Sequence, residues 1–251
     1  MANGARLALA EAGGRAGGLR IEAVYLDDTG GGPRWSPVAS AANARRAAED
    51  SSTIGYIGEL DSGATRFSLP ITNQAGIAHI SPGATAVDLT RFVTDELDPD
   101  RYRPSEEQTF LRLVPDEEDA LRAVRKAAGR IACRTNDGSA EVASPFREPF
   151  RLPPQAAGFL RDYRKRFGRP LPPAAYGYEA MALLLDSIHR AGDRGDERDE
   201  VIENLIETSD RRSVIGDYSI DANGDTTLEV VTVYAADGCR LRRGLELDVS
   251  S

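Results

Sequence analysis

The chain is poor in the residues that build most metal and redox sites. Its 251 residues include two cysteines, two histidines, two methionines and one tryptophan. Two thiols cannot complete a four-ligand zinc site, and neither histidine stands at ligand spacing from Cys133 or Cys239. A single disulfide and ordinary packing both stay open for these thiols, so cysteine usage leaves the redox compartment undetermined. We therefore expect no metal ion and no cofactor.

The sequence also lacks the features of membrane-spanning and nucleic-acid-binding chains. No run reaches the roughly 18 apolar residues that a membrane helix needs. The formal charge of −9 opposes binding to a phosphate backbone, because proteins that bind nucleic acids gain affinity from clustered Lys and Arg. Met1 leads directly into a helical pattern without the basic and apolar regions of a signal peptide, which predicts a cytoplasmic location for the chain as it stands.

Strands and helices alternate in the first third of the chain. Helical patterns cover residues 3–12, 36–48 and 62–74, and strand patterns cover residues 19–26, 53–58 and 77–80. This alternation is typical of βαβ units and predicts an α/β fold, with a Rossmann-like parallel sheet flanked by helices. Ligands of such folds bind at the carboxyl ends of the strands.

The second half is mainly helical before it turns to strands. Helices are predicted at residues 159–167, 176–191 and 199–208. The strong turn signal Asn223-Gly224 predicts a hairpin between residues 217–220 and 227–234, and Asp237-Gly238 predicts a second turn before residues 240–245. Between the two halves, residues 116–128 favour a helix and residues 129–133 a strand, whereas residues 139–154 have no clear period.

Six blocks of the sequence together resemble the type I periplasmic binding proteins, in the branch that binds leucine, isoleucine and valine. The order and spacing of the blocks make the resemblance specific, although each block alone is weak. They are residues 3–10 (NGARLALA), 57–65 (IGELDSGAT), 80–89 (ISPGATAVDL), 110–115 (FLRLVP), 176–185 (YGYEAMALLL) and 219–225 (SIDANGD).

The resemblance implies two lobes with an amino acid bound in the cleft between them. It further implies a non-enzymatic substrate-binding component of an ABC importer, with a Leu-, Ile- or Val-like ligand and an ABC permease as partners. Such a component works in the periplasm or at the extracellular surface. The alternative on the same fold is a cytoplasmic regulatory protein that senses a ligand.

Two departures from the family pattern indicate a truncated member. The family begins with a signal and a first strand, whereas Met1 stands inside the first helix. The resemblance places the first lobe at residues 1–115 and 144–216, and leaves 116–143 and 217–251 as crossovers and a remnant of the second lobe. Without the first strand, the strands near Leu26 and Ile57 lose their shared neighbour, so we expect impaired binding, low stability or self-association through exposed sheet edges.

Ser62, Gly83 and Thr85 are the candidate ligand-binding residues. Ser62 follows a predicted strand and opens a helix, and Thr85 follows the next strand. Hydroxyls and backbone N–H groups at such positions suit a carboxylate. By resemblance, Ser62 and Thr85 contact the ligand's carboxylate and ammonium groups, and Gly83 offers backbone groups. The alternative is that Ser62 is an N-cap and Thr85 a turn residue.

Two phenylalanines follow the segment that is predicted to re-enter the first lobe. Phe146 or Phe150 would supply one aromatic wall of the ligand site, and the alternative for both is an ordinary core aromatic. No residue of the chain matches the family's acidic partner for the ligand's ammonium group.

Other chemistry-bearing residues have weaker patterns. The Asp27-Asp28 pair resembles a receiver-type magnesium pocket but lacks the further acid and lysine, so loop carboxylates are the favoured interpretation. Residues 30–32 lack the spacing of a phosphate-binding loop, and residues 221–225 lack that of a calcium loop. His79 and His189 have no nucleophile pattern nearby, and both are predicted to be structural.

Overall fold

A computed structural model describes residues 1–122, 125, 140–237, 240–241 and 245–248. The helices are α1 (Ala2–Glu11), α2 (Pro37–Glu49), α3 (Ser62–Gln74), α4 (Ala157–Phe167), α5 (Pro173–Arg190) and α6 (Arg198–Ile206). The strands are β1 (Arg15–Ala16), β2 (Leu19–Arg20), β3 (Gly55–Ile57), β4 (Ala78–Ser81), β5 (Phe110–Arg112), β6 (Ala140–Ser144), β7 (Arg211–Ser213), β8 (Gly216–Tyr218), β9 (Val230–Asp237), β10 (Arg240–Leu241) and β11 (Leu245–Asp248).

A three-stranded parallel sheet lies between two layers of helices. The strand order is β3-β4-β5, with Ile57 opposite Ile80 and Ile80 opposite Leu111. Ile80 and Leu111 belong to a large apolar core with side chains of α1 and α5, whereas Phe110 packs with Leu69 of α3 on the other face. Successive residues of a strand point to opposite faces, so both faces of this sheet are buried. The predicted α/β class, with a helix-flanked parallel sheet, is confirmed.

The helix predictions are confirmed to within a few residues. Helix α1 ends before Gly13 and Gly14, which take left-handed φ values of 64° and 67° that glycine adopts without strain. Helix α2 begins after Ser36, whose side chain accepts a hydrogen bond from the Ala39 N–H at 3.5 Å. Helices α3 to α6 also fall where the apolar periodicity predicts them.

The strand predicted over residues 19–26 is wrong beyond Arg20. Residues 21–27 carry no regular secondary structure, and Ile21 donates its N–H back to Gly14 at 2.8 Å. Ile21 and Ala23 still pack on the core while Glu22 and Val24 are exposed, which is the alternation of a strand. Within the residues that the structure covers, β3 pairs with β4 alone, as the resemblance predicts. The segment thus has a strand's side-chain pattern without a ladder partner.

The hairpin predicted around Asn223-Gly224 is confirmed at its turn but not over the flanking strands. Gly224 has φ 87° and donates its N–H to Asp221 at 3.0 Å, but only an isolated bridge between Ile220 and Thr226 extends the pairing. The flanking strands find other partners, because β8 pairs with β7 and β9 pairs with β6. The turn residues therefore predicted where the chain reverses direction but not which strands pair.

A second sheet is antiparallel and contains β6, β9, β10 and β11. Strand β9 pairs with all three others, including β10 through Asp237 and Arg240, so the pairing predicted around the second turn is confirmed. Residues 117–122 are helical, as predicted for the start of 116–128. Cys133, Cys239 and the strand predicted at residues 129–133 lie outside the described residues. In the part of the chain that the structure covers, no helix has the length and apolarity to cross a bilayer.

Candidate ligand-binding site

The loops that carry the candidate residues meet at one edge of the parallel sheet. The loop after β3 leads into α3, and the loop after β4 contains Gly83 and Thr85. Carboxyl ends of parallel strands share an edge, so the two loops are neighbours. Asp61, not Ser62, is the N-cap of α3, and its side chain accepts a hydrogen bond from the Gly63 N–H at 2.7 Å. The alternative of Ser62 as an N-cap is therefore wrong, and Ser62 is the first helical residue.

The Ser62 hydroxyl joins the two loops. Its oxygen accepts hydrogen bonds from the backbone N–H of Thr85 at 2.9 Å and of Ala86 at 3.0 Å. A serine hydroxyl has one hydrogen besides these two acceptor positions, so Ser62 keeps a donor for a further partner. The structure thus brings Ser62 and Thr85 together. The N–H of Thr85 is already bonded to Ser62 and is not free to bind a ligand.

Thr85 leaves its own hydroxyl available. The side chain is half-buried, and its hydroxyl has no hydrogen-bond partner among the described residues, whereas its carbonyl accepts from Glu117 N–H at 2.7 Å. A hydroxyl in this state can both donate to and accept from a polar ligand. Ser62 and Thr85 together therefore present two hydroxyl donors at the sheet edge.

Gly83 lies in a tight gap beside Phe146. A Cβ atom at Gly83 would lie 2.7 Å from the Leu60 carbonyl oxygen and 3.0 Å from the Phe146 ring. Phe146 is half-buried and meets Tyr176 edge-on, with ring centroids 5.0 Å apart. Phe146 thus reaches the predicted site while it also packs on the core. Phe150 is 64% exposed, so its interpretation as a core aromatic is wrong.

A buried polar cluster under the site was missed by the sequence reasoning. Glu59 is 3% exposed, and its carboxylate accepts from the Tyr56 hydroxyl at 2.6 Å and the Ser68 hydroxyl at 3.0 Å. Burial raises the pKa of Glu59 to about 7, opposed by these two hydrogen bonds and reinforced by the charge of Asp28. The sequence feature that could have indicated this cluster is a glutamate directly after a predicted strand.

His79 belongs to the same cluster and is structural, as predicted. It is fully buried, and its Nε2 lies 2.6 Å from the Gly58 carbonyl oxygen. A carbonyl only accepts, so Nε2 carries the hydrogen and Nδ1 accepts from the Thr72 hydroxyl at 2.8 Å. Burial lowers the pKa of His79 to about 4, so the ring is neutral at physiological pH.

Trp35 is a second residue that the sequence reasoning missed. A Cβ atom at Gly63 would lie 2.5 Å from the Trp35 ring, and Trp35 also meets Phe67 with centroids 6.3 Å apart. The half-buried indole therefore covers the first turn of α3, next to Ser62. The single tryptophan in a glycine-rich loop was the only available signal.

The weaker candidates do not assemble a metal site. Asp27 accepts from the N–H and the hydroxyl of Thr29, which is the local bonding of a loop carboxylate. Burial and the charges of Asp27 and Asp61 raise the pKa of Asp28. Asp225 in the 221–225 turn binds the Arg112 guanidinium at 2.6 Å. Among the residues described, no three His, Cys, Asp or Glu side chains are placed to share a metal ion.

Two open cavities lie away from the candidate residues. One of about 450 Å³ is lined by Arg147, Gln155, Asp217 and Glu229, among others. The other, of about 280 Å³, lies beside α5 and β7 and is lined by Arg190 and Arg211. Neither cavity is lined by Ser62, Gly83 or Thr85.

Comparisons with known proteins agree with the architecture. No protein-family model and no curated protein sequence matches the chain. A substrate-binding protein of an ABC transporter from Desulfitobacterium hafniense, solved with leucine, superposes with a TM-score of 0.74 at 17% identity, over 97% of this chain and 95% of that one. An isoleucine-bound branched-chain amino-acid binding protein from Streptococcus pneumoniae gives 0.66 at 18% identity, over 98% and 93%.

A solute-binding protein from R. palustris in complex with benzoate is also similar. Its TM-score is 0.70 at 14% identity, over 98% of this chain and 90% of that one. At these identities the likeness concerns the fold. The chain has the fold of the type I periplasmic binding proteins.

Proposed function

We propose that the chain is a solute-binding protein that holds a small amino acid without covalent chemistry, as the binding component of an ABC importer. The observation that carries this proposal is the meeting of Ser62, Gly83 and Thr85 at the carboxyl edge of β3 and β4. A ligand carboxylate there would receive hydrogen bonds from two hydroxyl donors at the positively polarised start of α3.

The apolar surroundings favour an aliphatic side chain on the ligand. Phe146 and Leu60 lie against Gly83, and Trp35 covers the start of α3. Apolar walls with a few polar groups are the usual composition of small-molecule sites. We propose a leucine-, isoleucine- or valine-like ligand, which agrees with the leucine and isoleucine bound to the two structurally similar amino-acid binding proteins.

Partner, location and domain organisation complete the proposal. A protein of this kind would deliver its ligand to an ABC permease from the periplasm or the extracellular surface. We assign residues 1–115 and 144–216 to the binding lobe, and residues 116–143 and 217–251 to crossovers and the remnant of a second lobe. The separate antiparallel sheet of β6 and β9–β11 supports this division.

Thermal unfolding with added amino acids tests the proposal. A ligand at 100 times its Kd stabilises a protein by about 2.7 kcal/mol, so we expect leucine, isoleucine or valine to raise the Tm by a few degrees. Trp35, the single tryptophan, provides a fluorescence signal beside the site from which the Kd is obtained. Absence of a shift with all three amino acids and with benzoate would contradict a solute-binding role.

Matched variants locate the binding. Thr85→Val removes the unpaired hydroxyl while it keeps the shape of the side chain, and we expect it to weaken binding about tenfold, as for a lost hydrogen bond to a charged group. Ser52→Ala removes a hydroxyl just before β3, at the amino ends of the strands, whereas the site lies at their carboxyl ends. It should leave the Kd unchanged. Equal Kd values for Thr85→Val and the unmodified chain would place the ligand elsewhere.

A further inference from the structure

We propose that Glu59 is a positioning residue of this ligand site and that its ionised form is the one that supports binding. This inference rests on the proposed function. Glu59 directly precedes the Leu60–Ser62 loop and lies under it, with its side chain buried between β3, β4 and α3. Its contacts link both loops that carry the candidate ligand-binding residues.

The backbone of Glu59 holds the loop after β4 in place. Its carbonyl accepts a hydrogen bond from the Ser81 hydroxyl at 2.7 Å. The Ser81 oxygen in turn accepts from the N–H of Gly83 at 3.3 Å and of Ala84 at 2.9 Å. The position of Gly83 therefore depends, through Ser81, on the orientation of the Glu59 peptide group.

The Glu59 side chain fixes that peptide group through two hydroxyl donors. One carboxylate oxygen accepts from Tyr56 and the other from Ser68. An ionised carboxylate accepts both bonds, and such charge-assisted bonds are the stronger ones. A protonated carboxyl must turn one oxygen into a donor, so one of the two hydroxyl bonds is weakened or reversed. Protonation therefore loosens the support of the loop.

In the part of the chain that the structure describes, no Lys or Arg side chain forms an ion pair with Glu59. Tyr56 faces it from β3, Ser68 from α3 and His79 from β4, where Nε2 is 4.0 Å from the carboxylate. His79 is held neutral by burial, and Asp28, in the loop before α2, adds a negative charge. Burial places the pKa of Glu59 near 7, so its ionisation changes within the physiological range.

The pH dependence of leucine affinity tests the inference. A group with a pKa of about 7 is about one-tenth ionised at pH 6 and about nine-tenths ionised at pH 8. If only the ionised form binds, affinity rises up to about tenfold over this interval. Leucine keeps both of its charges between these pH values, so the slope belongs to the protein.

Glu59→Gln and a matched control separate positioning from general stability. Glu59→Gln should bind more weakly than the unmodified chain at pH 8 and show no slope between pH 6 and 8. Glu179→Gln is the control, because Glu179 is also buried and bound to a tyrosine, Tyr218 at 2.9 Å, but lies on α5 away from the site. It should keep the slope of the unmodified chain.

Tyr56→Phe provides a second variant should Glu59→Gln fail to fold. It removes one donor to the carboxylate, so the pKa of Glu59 rises and the midpoint of the affinity profile moves to higher pH. A flat profile in the unmodified chain, or an unchanged slope in Glu59→Gln, would overturn the role of Glu59 while leaving solute binding intact. Failure of all amino acids to bind at either pH would instead overturn the proposed function and this inference together.

Discussion

The two edges of the parallel sheet differ in how they are closed. At the β5 edge, the Arg112 N–H donates to the Gly224 carbonyl at 3.0 Å, so the 221–225 turn covers the outer strand. On the other side, β3 has no described ladder partner except β4, and residues 21–27 follow the strand pattern but form no ladder with any described residue. Burial reflects this difference, since all residues of β4 and β5 are buried and all residues of β3 are only half-buried.

The β5 edge is held by a buried arginine. Arg112 is fully buried and binds Asp225 at 2.6 Å, the Thr90 hydroxyl at 2.7 Å and the Ala86 carbonyl at 2.8 Å. Arg112 therefore joins the 221–225 turn to the loop after β4. Among the described residues, β3 therefore has a single ladder partner and is less protected from water than β4 and β5.

The largest expected effect is at the closed edge. Arg112→Met should destabilise the chain by at most about 3–5 kcal/mol, because it breaks a buried ion pair and leaves Asp225 with only Arg91 at 3.6 Å and the Thr90 hydroxyl at 3.1 Å. Urea unfolding measures the change. Arg161→Ala, which removes an exposed pair with the adjacent Asp162, is the control and should have no measurable effect. A loss below about 1 kcal/mol for Arg112→Met would mean that the turn is not anchored by this charge.

A pair of isoleucines in direct register compares the strands themselves. Ile80→Ala on fully buried β4 should cost about 2–5 kcal/mol, the range for large-to-small core substitutions. Ile57→Ala, opposite it on half-buried β3, should cost clearly less, because less apolar surface is removed from water in the folded state. Equal losses in urea unfolding would show that the β3 edge is covered as well as β4.

The pH dependence of stability reports on the polar cluster at the end of β3. Folding raises the pKa of Glu59 from 4.5 to about 7, so its ionisation opposes folding. The cost is absent below pH 4.5, grows as the pH rises towards 7 and is constant above it, to a maximum of about 3 kcal/mol.

Glu59→Gln should remove this part of the pH profile. Relative to the unmodified chain, Glu59→Gln should therefore become more stable as the pH rises from 5 to 8. Urea unfolding at both pH values gives the difference. Parallel profiles for Glu59→Gln and the unmodified chain would show that Glu59 does not titrate in this interval.

The smallest expected effect concerns association through the open edge. Unpaired strands associate with other chains, so the mass measured by analytical ultracentrifugation should rise with concentration. Val24→Lys places a charge on residues 21–27, which form no ladder with the described residues, and should reduce the association. Val38→Lys, at an exposed valine of α2, is the matched control and should not. A compact monomer at every concentration would contradict an open edge.

Much of the fold follows from local sequence signals. The helices were predicted by apolar periodicity and by Ser36, Gly13 and Gly14 at their ends, because caps and glycine conformations depend on neighbouring residues. The strand positions of β3 and β4 and the loops that carry Ser62, Gly83 and Thr85 were also predicted. Their joint location follows from the general rule for parallel sheets.

What the sequence could not supply was the choice of partners over long distances. Residues 21–27 have a strand's alternation, and Asn223-Gly224 has a hairpin's turn, yet neither forms the expected ladder. A ladder needs a second strand, and no local pattern identifies it.

The same limit applies to the site. Sequence determined that hydroxyls stand after β3 and β4. Only the tertiary structure decided that Ser62 binds the backbone of Thr85, that Phe146 reaches Gly83, and that Glu59 is buried between two hydroxyl donors. Burial and hydrogen-bond partners set a side chain's charge and freedom, and both depend on which strands and helices pack together.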